Sequence, residues 1–158
     1  AGSESGWGIN LSSNLKFGKA DVLRLQFVYG EGIQNYMNDS PVDIGIKNNF
    51  SDPTKPILGV PLPLLGTVAF LDHGWNEQWS STVGYSYQNN DNSDGQAASA
   101  FRDGHYFLAN LLYSPVANAM MGGEFQWGRR VNNSDGFRYD GYKLQFSFKY
   151  NFSHRLGG

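Results

Sequence analysis

Hydrophobic and polar residues alternate one by one along much of this chain. In LQFSFKYNF (144–152), Leu144, Phe146, Phe148, Tyr150 and Phe152 take the even positions, and Gln145, Ser147, Lys149 and Asn151 the odd ones. Successive side chains leave a β-strand on opposite faces, so the period predicts a strand with one apolar and one polar face. GWGINLSSNLKFG (6–18) repeats it, with Trp7, Ile9, Leu11, Leu15 and Phe17 opposed to Asn10, Ser12, Asn14 and Lys16. In LRLQFVYG (23–30), Leu23, Leu25, Phe27 and Tyr29 oppose Arg24 and Gln26. The short polar link GKAD makes these two a hairpin. Further strands are predicted at TVAFLDHGW (67–75), WSSTVGYSYQ (79–88), HYFLANLLY (105–113) and MMGGEFQWGRR (120–130), giving seven in all. Both faces of 67–75 carry apolar groups, which leaves its register open. No segment has a convincing helical period.

The links alternate in length. NEQ and SPVANA are short, whereas a long irregular segment (32–65) and shorter loops at 89–103 and 131–139 separate the other strands. Short turns on one side and long loops on the other are the pattern of an outer-membrane β-barrel, whose strands need about 9–11 residues to cross. Aromatic residues gather at strand ends (Trp7, Phe17, Tyr29, Trp75, Trp79, Tyr87, Tyr113, Trp127), where interfacial girdles belong.

Composition sharpens this choice. Charged residues make up 16% of the 158, aromatics 15%, and cysteine is absent, so no disulfide or thiolate metal site is expected. The longest apolar run, LGVPLPLLG (58–66), is broken by proline and too short for a spanning helix. A soluble β-sandwich would put charge on its outward faces. Here the polar faces are mostly Ser, Thr, Asn, Gln and Gly with a few cations, as a water-filled lumen requires. The predicted fold is all-β: a segment of an antiparallel transmembrane β-barrel, occupying 1–158 as one domain, in a bacterial outer membrane. Net charge is −2 and no block of like charge suggests nucleic acid.

Alternation places Lys16, Arg24, Arg130, Lys143 and Lys149 on the polar face with Gln126 and Glu124, and Asp72 as a further candidate. Most other acids fall in loops, so an acidic chain can still line a positive channel. Rings of Arg or Lys select anions. Arg24 and Arg130 are the candidates for carboxylate contact, because a guanidinium fork matches a carboxylate; the lysines add point charges. The competing reading is that these cations pair with acids and only hold the lumen together. Arg129, on the other face beside Trp127, is expected to meet lipopolysaccharide phosphate or a loop acid. The long loop either folds inward and narrows a pore or forms an external lid.

The terminal aromatics Phe148, Tyr150 and Phe152 resemble the C-terminal signature read by the barrel-assembly machinery. More narrowly, YGEGIQNYMND (29–39), FLDHGWNEQWSSTVGYSY (70–87), LLYSPVANAMMGGEFQWGRR (111–130) and YKLQFSFKYNFS (142–153) resemble the C-terminal half of DcaP-like porins. That resemblance implies a homotrimer of barrels of about 16 strands each, embedded in outer-membrane lipid and lipopolysaccharide and passing small anionic, dicarboxylate-like solutes. Seven strands do not close such a barrel, so the chain is expected to be a fragment whose missing strands come from another chain or lie outside residues 1–158, with SHRLGG (153–158) following the family's usual ending.

Other chemistry is weaker. His73, His105 and His154 sit near strand ends or in the tail, Ser153 and His154 are mere neighbours, and no Gly-x-Ser-x-Gly elbow appears. DNSDG (91–95) and NNSDG (132–136) lack the ligand spacing of a calcium loop and read as turns. No cofactor, metal or catalytic residue is expected. A plugged structural or adhesive barrel, and an outer-membrane lipid hydrolase, stand as alternatives to a diffusion channel.

Overall fold

The computed structural model describes residues 4–37 and 42–152. Its strands are β1 (Trp7–Phe17), β2 (Asp21–Glu31), β3 (Ile44–Asn48), β4 (Ile57–Pro61), β5 (Pro63–Gly74), β6 (Trp79–Asn90), β7 (Phe101–Val116), β8 (Ala119–Asn132) and β9 (Arg138–Tyr150). Seven form one sheet in the order β1-β2-β5-β6-β7-β8-β9, and each is antiparallel to the one before it. β3 and β4 form a separate hairpin inside the long loop, after a 3-10 turn at Gln34–Tyr36. No described helix is long and apolar enough to cross a membrane, which says nothing of crossing by strands.

All seven predicted strands are present, but the loops are shorter than the sequence suggests. β5 begins at Pro63 rather than 67, inside the segment read as loop 32–65, which also contains β3 and β4. Of 89–103, β6 takes the first two residues and β7 the last three; of 131–139, β8 and β9 leave only 133–137 as loop. Polar and glycine-rich strand ends read as turns in sequence, yet the ladder's backbone hydrogen bonds continue through them. At the other end the turns are tight. Gly18, with φ of +60°, makes the bend between β1 and β2, a conformation a side chain disfavours.

Register fixes the faces. Leu15, Leu23, Leu71, Val83, Ala109, Phe125 and Leu144 lie in one row across the whole sheet. The next row, on the opposite face, is Asn14, Arg24, Phe70, Gly84, Leu108, Gln126 and Lys143. The apolar face is open: Leu144 is 71% exposed and Phe146 84%. A sandwich would bury such a row under a second sheet. Among the described residues, only Val28, Ile33, Leu62 and Leu64 are buried hydrophobics, and they cluster at the long-loop end. Outside that cluster the sheet is one layer with no packed core on either face. β1 and β9 are its edges, each paired on one side only.

Aromatics mark both ends of the apolar face. Trp79 stacks on Tyr113 (4.6 Å) and Trp75 meets His73 edge-on (4.3 Å) at the short-turn end. Trp7 and Tyr29 pair at 5.9 Å at the long-loop end. Trp79 and Tyr87, at opposite ends of one strand, are roughly 26 Å apart along it, or about 20 Å once a strand tilts by about 40°. That is close to the apolar band of a membrane barrel, about 25 Å tall.

Candidate functional site

The polar face carries a hydrogen-bonded belt at its short-turn half. Arg24 Nε donates to Asp72 Oδ2 (2.6 Å), and the Thr82 hydroxyl donates to Asp72 Oδ1 (2.8 Å). The Thr82 backbone N–H donates to Asn110 Oδ1 (2.8 Å), and Asn110 Nδ2 reaches Glu124 Oε2 (3.5 Å). Gln126 donates to the other Glu124 oxygen. The belt thus joins β2, β5, β6, β7 and β8. It exists because Asp72, Thr82, Asn110 and Glu124 are successive cross-strand partners on one face.

Two of the predicted cations differ sharply in setting. Arg24 is paired with Asp72, yet 57% of its side chain is exposed, so the rest of its fork faces the open side of the sheet. The competing reading, cations held by acids, describes its Nε correctly. Arg130 makes no salt bridge among the described residues: Nε donates to Asn132 Oδ1 (2.9 Å), one terminal nitrogen to the Ser99 carbonyl (3.3 Å), and the guanidinium lies 5.9 Å from the Phe101 ring. The two arginines do not converge. β2 and β8 are four strand spacings apart, roughly 19 Å along the sheet, and Arg130 sits at the long-loop end. Lys16, Lys143 and Lys149 are exposed, with no ion pair among the described residues. The polar face of the seven strands therefore holds five cations (Lys16, Arg24, Arg130, Lys143, Lys149) against the carboxylates Asp72 and Glu124.

The middle of this face is more apolar than the alternation implies. Phe70 lies across Gly84, and a Cβ on Gly84 would overlap its ring. Sequence reasoning missed Phe70 and left Asp72 only a further candidate because 67–75 is apolar on both sides, and only pairing with β2 and β6 sets its register.

The first part of the long loop folds over the polar face. Ile33 packs against Gly8 and Gly30, and the Met37 methyl lies over Gly66. Val28, Ile33 and Leu64 form the buried cluster there, with Met37 against it. A groove of about 260 Å³ beside Met37 is lined by Gln26, Val28, Val68, Ser86, Gln88 and Tyr106. The rest of the loop does otherwise: the β3–β4 hairpin packs Gly45 against Ser93 and Ile46 against Gly95, roofing loop 91–100. One part of the loop thus lies on the polar face and another over loop 91–100.

The side chains set aside in sequence are structural in setting. His73 pairs with Asp21, and His105 with the Tyr85 hydroxyl (2.6 Å), both on the apolar face. Asp135 accepts from Asn132 and from the Phe137 backbone, which holds its carboxyl below the ordinary range and makes NNSDG a turn. Arg129 meets Asp140 (2.7 Å), an acid of β9 rather than of a loop. Phe148, Tyr150 and Phe152 are all exposed, the first two at the short-turn end of β9. Ser153 and His154 lie outside the described residues. Among the described residues no three His, Cys, Asp or Glu side chains converge as metal ligands would.

No family model matches the chain, and no curated protein matches it. Among solved structures it is similar to the outer membrane channel DcaP of Acinetobacter baumannii, with a TM-score of 0.78 and 21% identity over 94% of this chain. The matched region is 41% of that channel's length. At this identity the likeness establishes the fold: an open seven-stranded sheet with the architecture of part of a β-barrel channel.

Proposed function

We propose that this chain is part of an outer-membrane diffusion channel that passes small hydrophilic anions, dicarboxylates among them, without a chemical step. The observation that carries the reading is the division of one unpacked sheet into a continuous exposed apolar face and a polar face with five cations and two carboxylates. The likeness to an outer membrane channel over 94% of the chain supports it. In a barrel, such a surplus of cations raises the local concentration of anions along the lumen. The long loops face outside the cell and the short turns the periplasm, where Phe152 offers its terminal aromatic signature to the barrel-assembly machinery. The complete barrel assembles as a trimer in lipid and lipopolysaccharide.

The whole barrel, fused into a planar bilayer under a salt gradient, tests this. The expected reversal potential has the sign of anion preference; cation preference would reject the anion reading, and absence of conductance the channel itself. Arg24→Ser should reduce anion preference. Asp72→Asn should increase it, because it removes a lumen carboxylate and frees the Arg24 fork. A plugged structural barrel is favoured by one feature, the filling of the wall by Phe70 and Met37; the same conductance measurement decides against it if current flows.

A further inference from the structure

We infer that the exterior of β7, β8 and β9, at the long-loop end, is a binding site for the phosphate of an anionic outer-leaflet lipid. This rests on the outer-membrane reading above. The alternation of β7 is broken by a register shift between Phe101 and Asp103. Such bulges re-aim a side chain. Here the shift carries the Arg102 guanidinium to Asp103 (2.7 Å), which also accepts from Tyr87 and Asn89 of the exterior face. Asp103, Val131 and Arg138 are cross-strand partners, as are His105, Arg129 and Asp140 one step below. Arg102 in the bulge and Arg138 in the upper row thus flank β8, with Arg129 between them one step below: a staggered cluster over three adjacent strands in which Arg129 and Arg138 are diagonal neighbours, about 7–8 Å apart.

The carboxylates in this row do not saturate it. Asp103 engages Arg102 and Asp140 engages Arg129, in both cases through Nε. One terminal nitrogen of Arg102 bonds the Asn133 carbonyl (3.3 Å). Arg129 also lies 5.0 Å from the Trp127 ring, and Arg138 is exposed and makes no salt bridge among the described residues, although its charge also acts on the Asp140 carboxyl. Three guanidiniums against two carboxylates leave a positive row whose outer edges can take phosphate oxygens. Directly below lie Tyr142, Leu144 and Phe146, at least 71% exposed. Cations above an open apolar wall match one amphiphile: a phosphate head over hydrocarbon chains. Inorganic phosphate would gain nothing from that wall, and an acidic protein would have to desolvate polar groups against it.

The test uses the whole barrel in detergent, titrated with diphosphorylated lipid A and read by native mass spectrometry, with bilayer conductance recorded on the same preparation. Arg138→Gln, which breaks no ion pair, should weaken lipid A binding about fivefold, and the Arg102→Gln/Arg129→Gln/Arg138→Gln variant about a hundredfold. Conductance should be unchanged, since all three lie outside the lumen. Dephosphorylated lipid A binding as tightly as the phosphorylated form, full competition by inorganic phosphate, or wild-type affinity in both variants would each overturn the inference. So would cross-linking of this row to a second protomer. Conductance without lipid A binding sinks this site alone; lipid A binding without conductance sinks the channel reading.

Discussion

Phe70 and Gly84 show how one contact narrows a wall that composition makes wide. The ring lies where a Gly84 side chain would be, and only a swing of the ring away from the sheet could admit a Cβ. Gly84→Ala is therefore expected to push Phe70 into the lumen and lower single-channel conductance, whereas Phe70→Ala raises it; equal conductances would refute the placement. Gly30 is less forgiving, because its Cβ would strike the Trp7 carbonyl and come within 2.6 Å of Gly8 Cα, both backbone. Overpacking of that kind costs about 1–3 kcal/mol. The candidate cations were legible as residues: alternation put Arg24, Arg130 and the lysines on the polar face. Their partners were not: Asp72 meets Arg24 only through strand pairing, and Asn132 shares Arg130's face only because β8 runs on past residue 130.

Among elements, the loops carry their own titratable locks. Asp52 accepts from the Thr54 hydroxyl and backbone, the largest causes that hold its pKa below the ordinary 3.8, and Asp135 does the same work for 133–137. A depressed folded pKa contributes stability that is present above the unfolded value and lost as pH falls through the folded one. Both turns should stay locked at neutral pH and loosen only in acid more extreme than 3.8. The Thr54 and Phe137 amide resonances should titrate there, and midpoints above 3.8 would contradict the hydrogen bonds. Strand identity was readable throughout because a period of two survives without any partner. Strand ends were not, because Asn, Asp and Gly favour turns in isolation and yield to a ladder when a neighbour supplies the hydrogen bonds.

For the whole molecule, the strand count decides what is possible. Eight-stranded barrels already fill their interior with side chains, so a ring of seven would leave no water path. The exposed edges β1 and β9 and the open polar face call for additional strands. Refolded alone, residues 1–158 should give no compact band that shifts on heating in a denaturing gel, and the unpaired edges should drive association. A monomeric heat-modifiable band from this segment would show that seven strands suffice.

The sequence by itself determined the strands and their two faces, one apolar and one polar, since each follows from side-chain spacing along one chain. The tertiary structure alone decided register and its consequences: the Arg24–Asp72–Thr82 belt, Phe70 over Gly84, the fold of 33–37 onto the polar face and the arginine row on β7–β9. These depend on which residues of different strands become neighbours, and a two-residue period is blind to sliding one strand past another by two.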